Sequence, residues 1–184
     1  VFDFICQNLP KNSQLQVSNS SAIRYLQLFD VDKSVQVFCN RGTSGIDGST
    51  STAIGAASAT NLPTILITGD ISFLYDSNAL WNNYIPKNFK IILLNNSGGG
   101  IFRILPGHQE TETFNRYFET SHQLNASHLA KMYGFDYFEA NDEATLQQQY
   151  KSFLNQNEKP SILEIFTPEK ENNGILLEFF RGLK

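Results

Sequence analysis

At 184 residues, 41% hydrophobic and 17% charged, the chain fits a single domain able to bury about two thirds of its unfolded surface. Its formal net charge is −4 and no run of Lys or Arg forms a basic stripe, which argues against nucleic acid as the main partner. No apolar run approaches the ~20 residues of a membrane span, and two cysteines, Cys6 and Cys39, are too few for a disulfide scaffold.

The opening VFDFICQNLP lacks an initiator Met and reads as a short amphipathic helix already in progress, so we expect sequence to precede it. No signal pattern is evident, and we expect a reduced, cytoplasmic setting. A helix is expected over 20–29, then a strand over 35–39 (VQVFC) and a helix over 51–59. Strands over 64–68 (TILIT) and 90–94 (KIILL) flank a short helix over 78–82. Neither strand alternates, as expected when helices cover both faces. Helices over 125–133, 143–155 and 169–181 alternate with strands over 137–140 and 161–166. The 143–155 segment follows an acidic first turn and places Leu146, Tyr150, Phe153 and Leu154 on one stripe. This alternation predicts an α/β fold, a doubly wound, mostly parallel sheet flanked by helices. Ligands in such sheets bind outside the carboxyl ends of the strands.

Three of those ends carry glycine beside polar oxygens: NRGTSGIDG (40–48), GDISFLYDSNAL (69–80) and NNSGGGIF (95–102). Gly69 can adopt positive φ and turn the strand so that Asp70 sits at the sheet edge. Asn96 offers an amide oxygen at the next edge, and Gly98 a carbonyl unhindered by a side chain. Carboxylate, amide and carbonyl oxygens suit Mg²⁺ (or Mn²⁺), with an anionic diphosphate supplying further ligands. A helix starting after Ser72 would direct free N–H groups at that anion. Asp70 taken alone reads more readily as part of a helix N-cap; the Asn-Asn pair that begins 25 residues beyond it favours the metal.

Gly-Asp followed by Asn-Asn is similar to the thiamine diphosphate signature, with Ile71 in place of the third glycine of GDG. NRGTSGIDG, GDxSFLYDxNAL and NNxGGGIFxxLP, with NSSAIR (19–24), together resemble the 2-succinyl-5-enolpyruvyl-6-hydroxy-3-cyclohexene-1-carboxylate synthase (MenD) family of menaquinone biosynthesis. The likeness runs from about Asn19 to Pro106, and later segments fit the strands and helices of the thiamine diphosphate-binding fold. It implies that Asp70, Asn96 and the Gly98 carbonyl bind Mg²⁺. Gly69, Ser72 and backbone of Ile71, Gly99 and Ile101 would then meet the diphosphate. Ile46 would be the apolar wedge that bends thiamine diphosphate, with backbone of Ser44 and Ile46 at its aminopyrimidine edge and Ser20 at the mouth. Arg24 and Arg41 would pair with substrate carboxylates, and Ile101, Phe102 and Leu105 would form the apolar wall beside the thiazolium.

The family's transferase reaction decarboxylates 2-oxoglutarate and adds the succinyl unit to isochorismate. The resemblance also implies a partner, the pyrimidine-binding domain of a second subunit, which supplies an activating glutamate. Residues 1–184 are accordingly expected to be one domain, the C-terminal diphosphate-binding part of a longer homodimeric or homotetrameric enzyme, inactive alone. Two other readings stand beside this one: another thiamine-dependent 2-oxo acid decarboxylase or synthase, and a non-catalytic flavodoxin-like binding module. Arg103 carries no assigned role, and His108, His122 and His128 read as loop or surface residues.

Overall fold

The strands expected over 64–68 and 90–94 form, and they are the two central strands of a six-stranded sheet. The computed structural model describes residues 1–105 and 107–182, so Pro106, the last letter of one motif, lies outside it. Its strands are β1 (Gln14–Val17), β2 (Gln36–Cys39), β3 (Thr64–Gly69), β4 (Lys90–Asn95), β5 (Asp136–Ala140) and β6 (Ser161–Phe166). All pair in parallel, in the order β2-β1-β3-β4-β6-β5. The sequence reading missed β1. Its residues QLQV look half-polar, yet Gln14 and Gln16 are buried beside Leu15 and Val17 because neighbouring strands enclose them. With β1 in place the topological switch point becomes visible. The chain leaves β1 for β2 on one side and reaches β3 on the other, so the crevice opens over the ends of β1 and β3.

Helices α1 (Phe2–Asn8), α2 (Ser21–Leu26) and α6 (Glu143–Asn155) cover one face through Ile5, Ile23 and Phe153, packed with Ile65, Ile67 and Ile92. The opposite face holds α3 (Ser49–Ser58), α4 (Asp70–Tyr75), a 3₁₀ turn (Ser77–Trp81) and α5 (Ser127–Tyr133). There Ile54, Phe73 and Ala130 meet Leu66, Ile91 and Leu93. Successive residues of β3 and β4 thus enter opposite cores, which explains the absence of alternation in their sequences. The last helix, α7, spans Asn172–Gly182, shorter at its start than expected. A 3₁₀ turn (Gly100–Ile104) and a π-helix (Phe114–Glu119) were also unforeseen.

Helix α6 begins where the sequence reading placed it because Asp142 and Thr145 form a reciprocal capping box. Its other end is closed by Lys90. The buried Nζ donates to the Phe153 carbonyl at 2.8 Å and to the Gln156 carbonyl. Burial pushes this amine down to about 8, against the pull of Asp136. Among the described residues no helix is long and apolar enough to cross a membrane. Both cysteines are free thiols.

Candidate functional site

The turn from β3 into α4 does not use a left-handed glycine. Gly69 is extended (φ −86°, ψ 163°), and helix α4 begins at Asp70, two residues before Ser72, correcting the expected start. A Cβ at Gly69 would meet nothing within 4 Å, so this glycine keeps space open above the strand rather than enabling a turn. Asp70 is 3% exposed. Its Oδ1 accepts the Ile71 N–H at 2.7 Å, while Oδ2 accepts the N–H groups of Asn96 at 3.2 Å and Gly98 at 3.0 Å. Asp70 and the backbone of Asn96 therefore meet across adjacent strand ends. Burial pushes the Asp70 carboxyl above its ordinary value, against the pull of the Ile71 N–H, His122 and the N–H groups of Gly98 and Asn96.

The two asparagines that close β4 have separate roles. Asn95 is buried and donates to Glu164 Oε1 at 2.7 Å and to the Leu124 carbonyl at 2.9 Å, while its Oδ1 accepts the Ser97 N–H at 3.0 Å. It fixes the loop. Asn96 is only partly buried, and its amide lies over Gly100, where a Cβ would sit 2.8 Å from Nδ2. Gly98 is glycine by necessity: its φ is 154°, and a Cβ would fall 2.8 Å from the Glu119 carbonyl.

Segment 119–122 backs this loop, with Gly99 N–H donating to Glu119 O at 2.6 Å and His122 N–H to Ser97 O at 3.1 Å. Arg103, unassigned from sequence, is 4% exposed and forms a two-pronged pair with Glu119 plus a bond to Glu110. That pairing joins the Gly100–Ile104 turn to the end of the π-helix. His122 lies in a loop, one of the two places expected for it, but is largely shut away from solvent. Its side chain is 11% exposed and Nε2 lies 3.3 Å from Asp70 Oδ2.

The loop after β2 is held from two sides. Asn19, at the end of β1, donates to the Ser44 carbonyl, and the Ser72 hydroxyl donates to the Ile46 carbonyl. The structure thus turns the Ser72 hydroxyl toward this loop and buries the side chain. Among the described residues, Ser20 (φ 72°), Ser44 (φ 58°) and Ser97 (φ 61°) are three of five non-glycine residues with positive φ, and all three follow carboxyl strand ends. Strain of this kind concentrates at ligand-binding edges. Arg24 is exposed and donates to the Ser20 carbonyl at 2.8 Å; Arg41 is exposed on the loop after β2. Ile46, Ile101 and Phe102 are half-buried, and Phe102 packs edge-on against Phe118 at 5.8 Å. Leu105 is 54% exposed, outside any packed wall in this chain.

A cavity of about 390 Å³ opens over these ends. Ser21, Gly69, Leu94, Asn96, Gly100 and Ile175 contribute to its wall. Asp70 instead faces a smaller gap with His122, Asn95 and Glu164.

Residues 19–165 match the family described as thiamine pyrophosphate enzyme, C-terminal TPP binding domain. The chain belongs to this family. As a thiamine pyrophosphate enzyme domain it resembles proteins named 2-succinyl-5-enolpyruvyl-6-hydroxy-3-cyclohexene-1-carboxylate synthase. That of Flavobacterium johnsoniae is 66% identical over 183 residues, covering all of this chain and 33% of the relative. That of Flavobacterium psychrophilum is 69% identical over 182 residues, 99% of this chain and 33% of the relative. That of Bacteroides fragilis is 43% identical over 182 residues, 98% of this chain and 33% of the relative. The chain spans about a third of the length of these relatives. The TPP-domain match starts at Asn19, the residue that ties β1 to the Ser44 loop and to which the NSSAIR motif alone assigns no role. Asp76, Glu119 and Glu164 were also missed. Of these only Asp76 lay inside a quoted motif.

Proposed function

We propose that this domain holds the diphosphate and Mg²⁺ of thiamine diphosphate in a synthase that transfers a succinyl unit from 2-oxoglutarate to isochorismate. The observation that carries this reading is the Asp70 carboxylate, held by backbone N–H groups at the junction of two strand ends. Among the described residues its Oδ1 accepts a single hydrogen bond, leaving lone pairs for a cation. The relatives' names, at 66% and 69% identity, favour the succinyl-transferring enzyme over other thiamine-dependent decarboxylases.

The residues fit such a group. Among the described residues no Lys or Arg pairs with the buried Asp70, and a buried carboxylate is costly unless a cation joins it. Asn19 Oδ1, at the same edge, is a buried acceptor without a hydrogen-bond partner among the described residues. In this reading Asp70, Asn96 and the Gly98 carbonyl hold Mg²⁺, while Gly69, Ile71, Ser72, Gly99 and Ile101 surround the diphosphate. Thiamine diphosphate, when bound, supplies the electron sink for decarboxylation of a 2-oxo acid. Arg24 and Arg41 pair with the substrate carboxylates, for which a guanidinium fork is suited. Ile46, Ile101, Phe102 and Leu105 exclude water from the reacting atoms. The Leu105 surface is then covered by the pyrimidine-binding domain of a second subunit, in a cytoplasmic homodimer or homotetramer.

Calorimetric titration of thiamine diphosphate into the chain tests the reading. Binding should require Mg²⁺ and disappear in Asp70→Ala and Asn96→Ala; binding unchanged by both substitutions overturns it. Assayed without a pyrimidine-binding domain, the chain should form no product from 2-oxoglutarate and isochorismate.

A further inference from the structure

His122 has no assigned part in the site, yet its surroundings fix its chemistry. The ring is brought in by the segment that backs the glycine loop, where its own N–H donates to Ser97 O at 3.1 Å. Nδ1 accepts the Leu124 N–H at 3.1 Å, so a neutral ring carries its proton on Nε2. That nitrogen is buried, has no aligned hydrogen-bond acceptor among the described residues, and sits 3.3 Å from Asp70 Oδ2. Oδ2 is also the oxygen that accepts from Asn96 and Gly98. Two backbone donors thus converge on Oδ2 with the unpartnered His122 Nε2 beside it, and among the described residues the other oxygen meets only the Ile71 N–H.

We propose that His122 is a positioning residue for the cation site: when the cation binds, its Nε2–H aligns on the nearby Asp70 Oδ2 and holds it so that Oδ1 is presented to the metal. This rests on the reading of Asp70 as a metal ligand. Groups that orient a liganding carboxylate are worth roughly 10- to 100-fold in metal affinity. Aromatic replacement should remove the effect, whereas glutamine, whose amide N–H reaches the position of Nε2, should restore it.

The test is a titration of Mg²⁺, repeated with Mn²⁺, into the full chain with excess thiamine diphosphate, followed by calorimetry. His122→Phe should weaken the cation roughly 10- to 100-fold, and His122→Gln should stay within about threefold of the original. Unchanged affinity in His122→Phe, with binding abolished in Asp70→Ala, overturns the role of His122 alone. Unchanged affinity in Asp70→Ala overturns the metal reading itself. Imidazole ¹⁵N spectra of the unsubstituted chain give an answer that needs no variant. An Nε2–H tautomer is expected, and an Nδ1–H tautomer refutes the proposal.

Discussion

Asp76, at the end of α4, accepts the backbone N–H of Ser51 at 2.7 Å and the Ser51 hydroxyl at 3.0 Å. It caps α3 from a position 25 residues further along the chain. Together with the bond from Ser72 to Ile46, this locks the loop after β2 against the start of α4. Asp76→Ala should therefore cost about 1–2 kcal/mol, the usual worth of a helix cap. Urea denaturation would measure the loss, and Asp76→Asn should recover part of it.

Gly98 tolerates no side chain. In Gly98→Ala the new methyl would confront a backbone carbonyl rather than a yielding side chain, and the left-handed φ adds strain. A cost of about 1–3 kcal/mol is expected. Because the same loop donates to Asp70, Mg²⁺-dependent thiamine diphosphate binding should fall with it, measured by calorimetry on the variant.

Arg103 and Glu119 form an ion pair shut away from solvent. Removing one partner leaves an uncompensated buried charge, so Arg103→Met should destabilise the fold by roughly 3–5 kcal/mol. The double variant Arg103→Met with Glu119→Leu should lose much less. Denaturation midpoints of the two single variants and the double form a cycle that isolates the pair.

Lys90 gives a pH signature. Its amine titrates at about 8 when folded, against an ordinary value of 10.5. Between those values the unfolded chain binds a proton that the folded chain has released, so this residue makes the fold more stable as pH rises. Below about 8 both states are charged and the contribution is flat. Compared with Lys90→Met, the original chain should gain stability between pH 8 and 10, and urea melts at both pH values would show it.

The Asp70–Asn96 junction was legible because both residues lie directly after strands whose apolar runs are unmistakable. The start of α6 was legible because its cap is local, spanning Asp142 to Thr145. Strand β1 was not: four residues with two glutamines carry no apolar signal, and their burial comes from flanking strands that only the fold assembles. His122 was equally hidden, since a lone histidine remote in sequence from its carboxylate leaves no spacing to recognise. Glu164 looked like one polar residue in an apolar strand, and only the fold supplies its donors, Asn95, Ala126 and Tyr137. Gly69 was read as a hinge for the backbone, whereas its value lies in the room it leaves.

Strand β4 has Lys90 at one end and the Asn95 to Asn96 step at the other, about 20 Å apart at 3.3 Å per residue. Whatever tunes robustness at the lysine end is insulated by a rigid beam from whatever tunes ligand recognition at the asparagine end. An engineer can therefore harden this domain from below, through Lys90 and the α6 terminus, without retuning the cradle above.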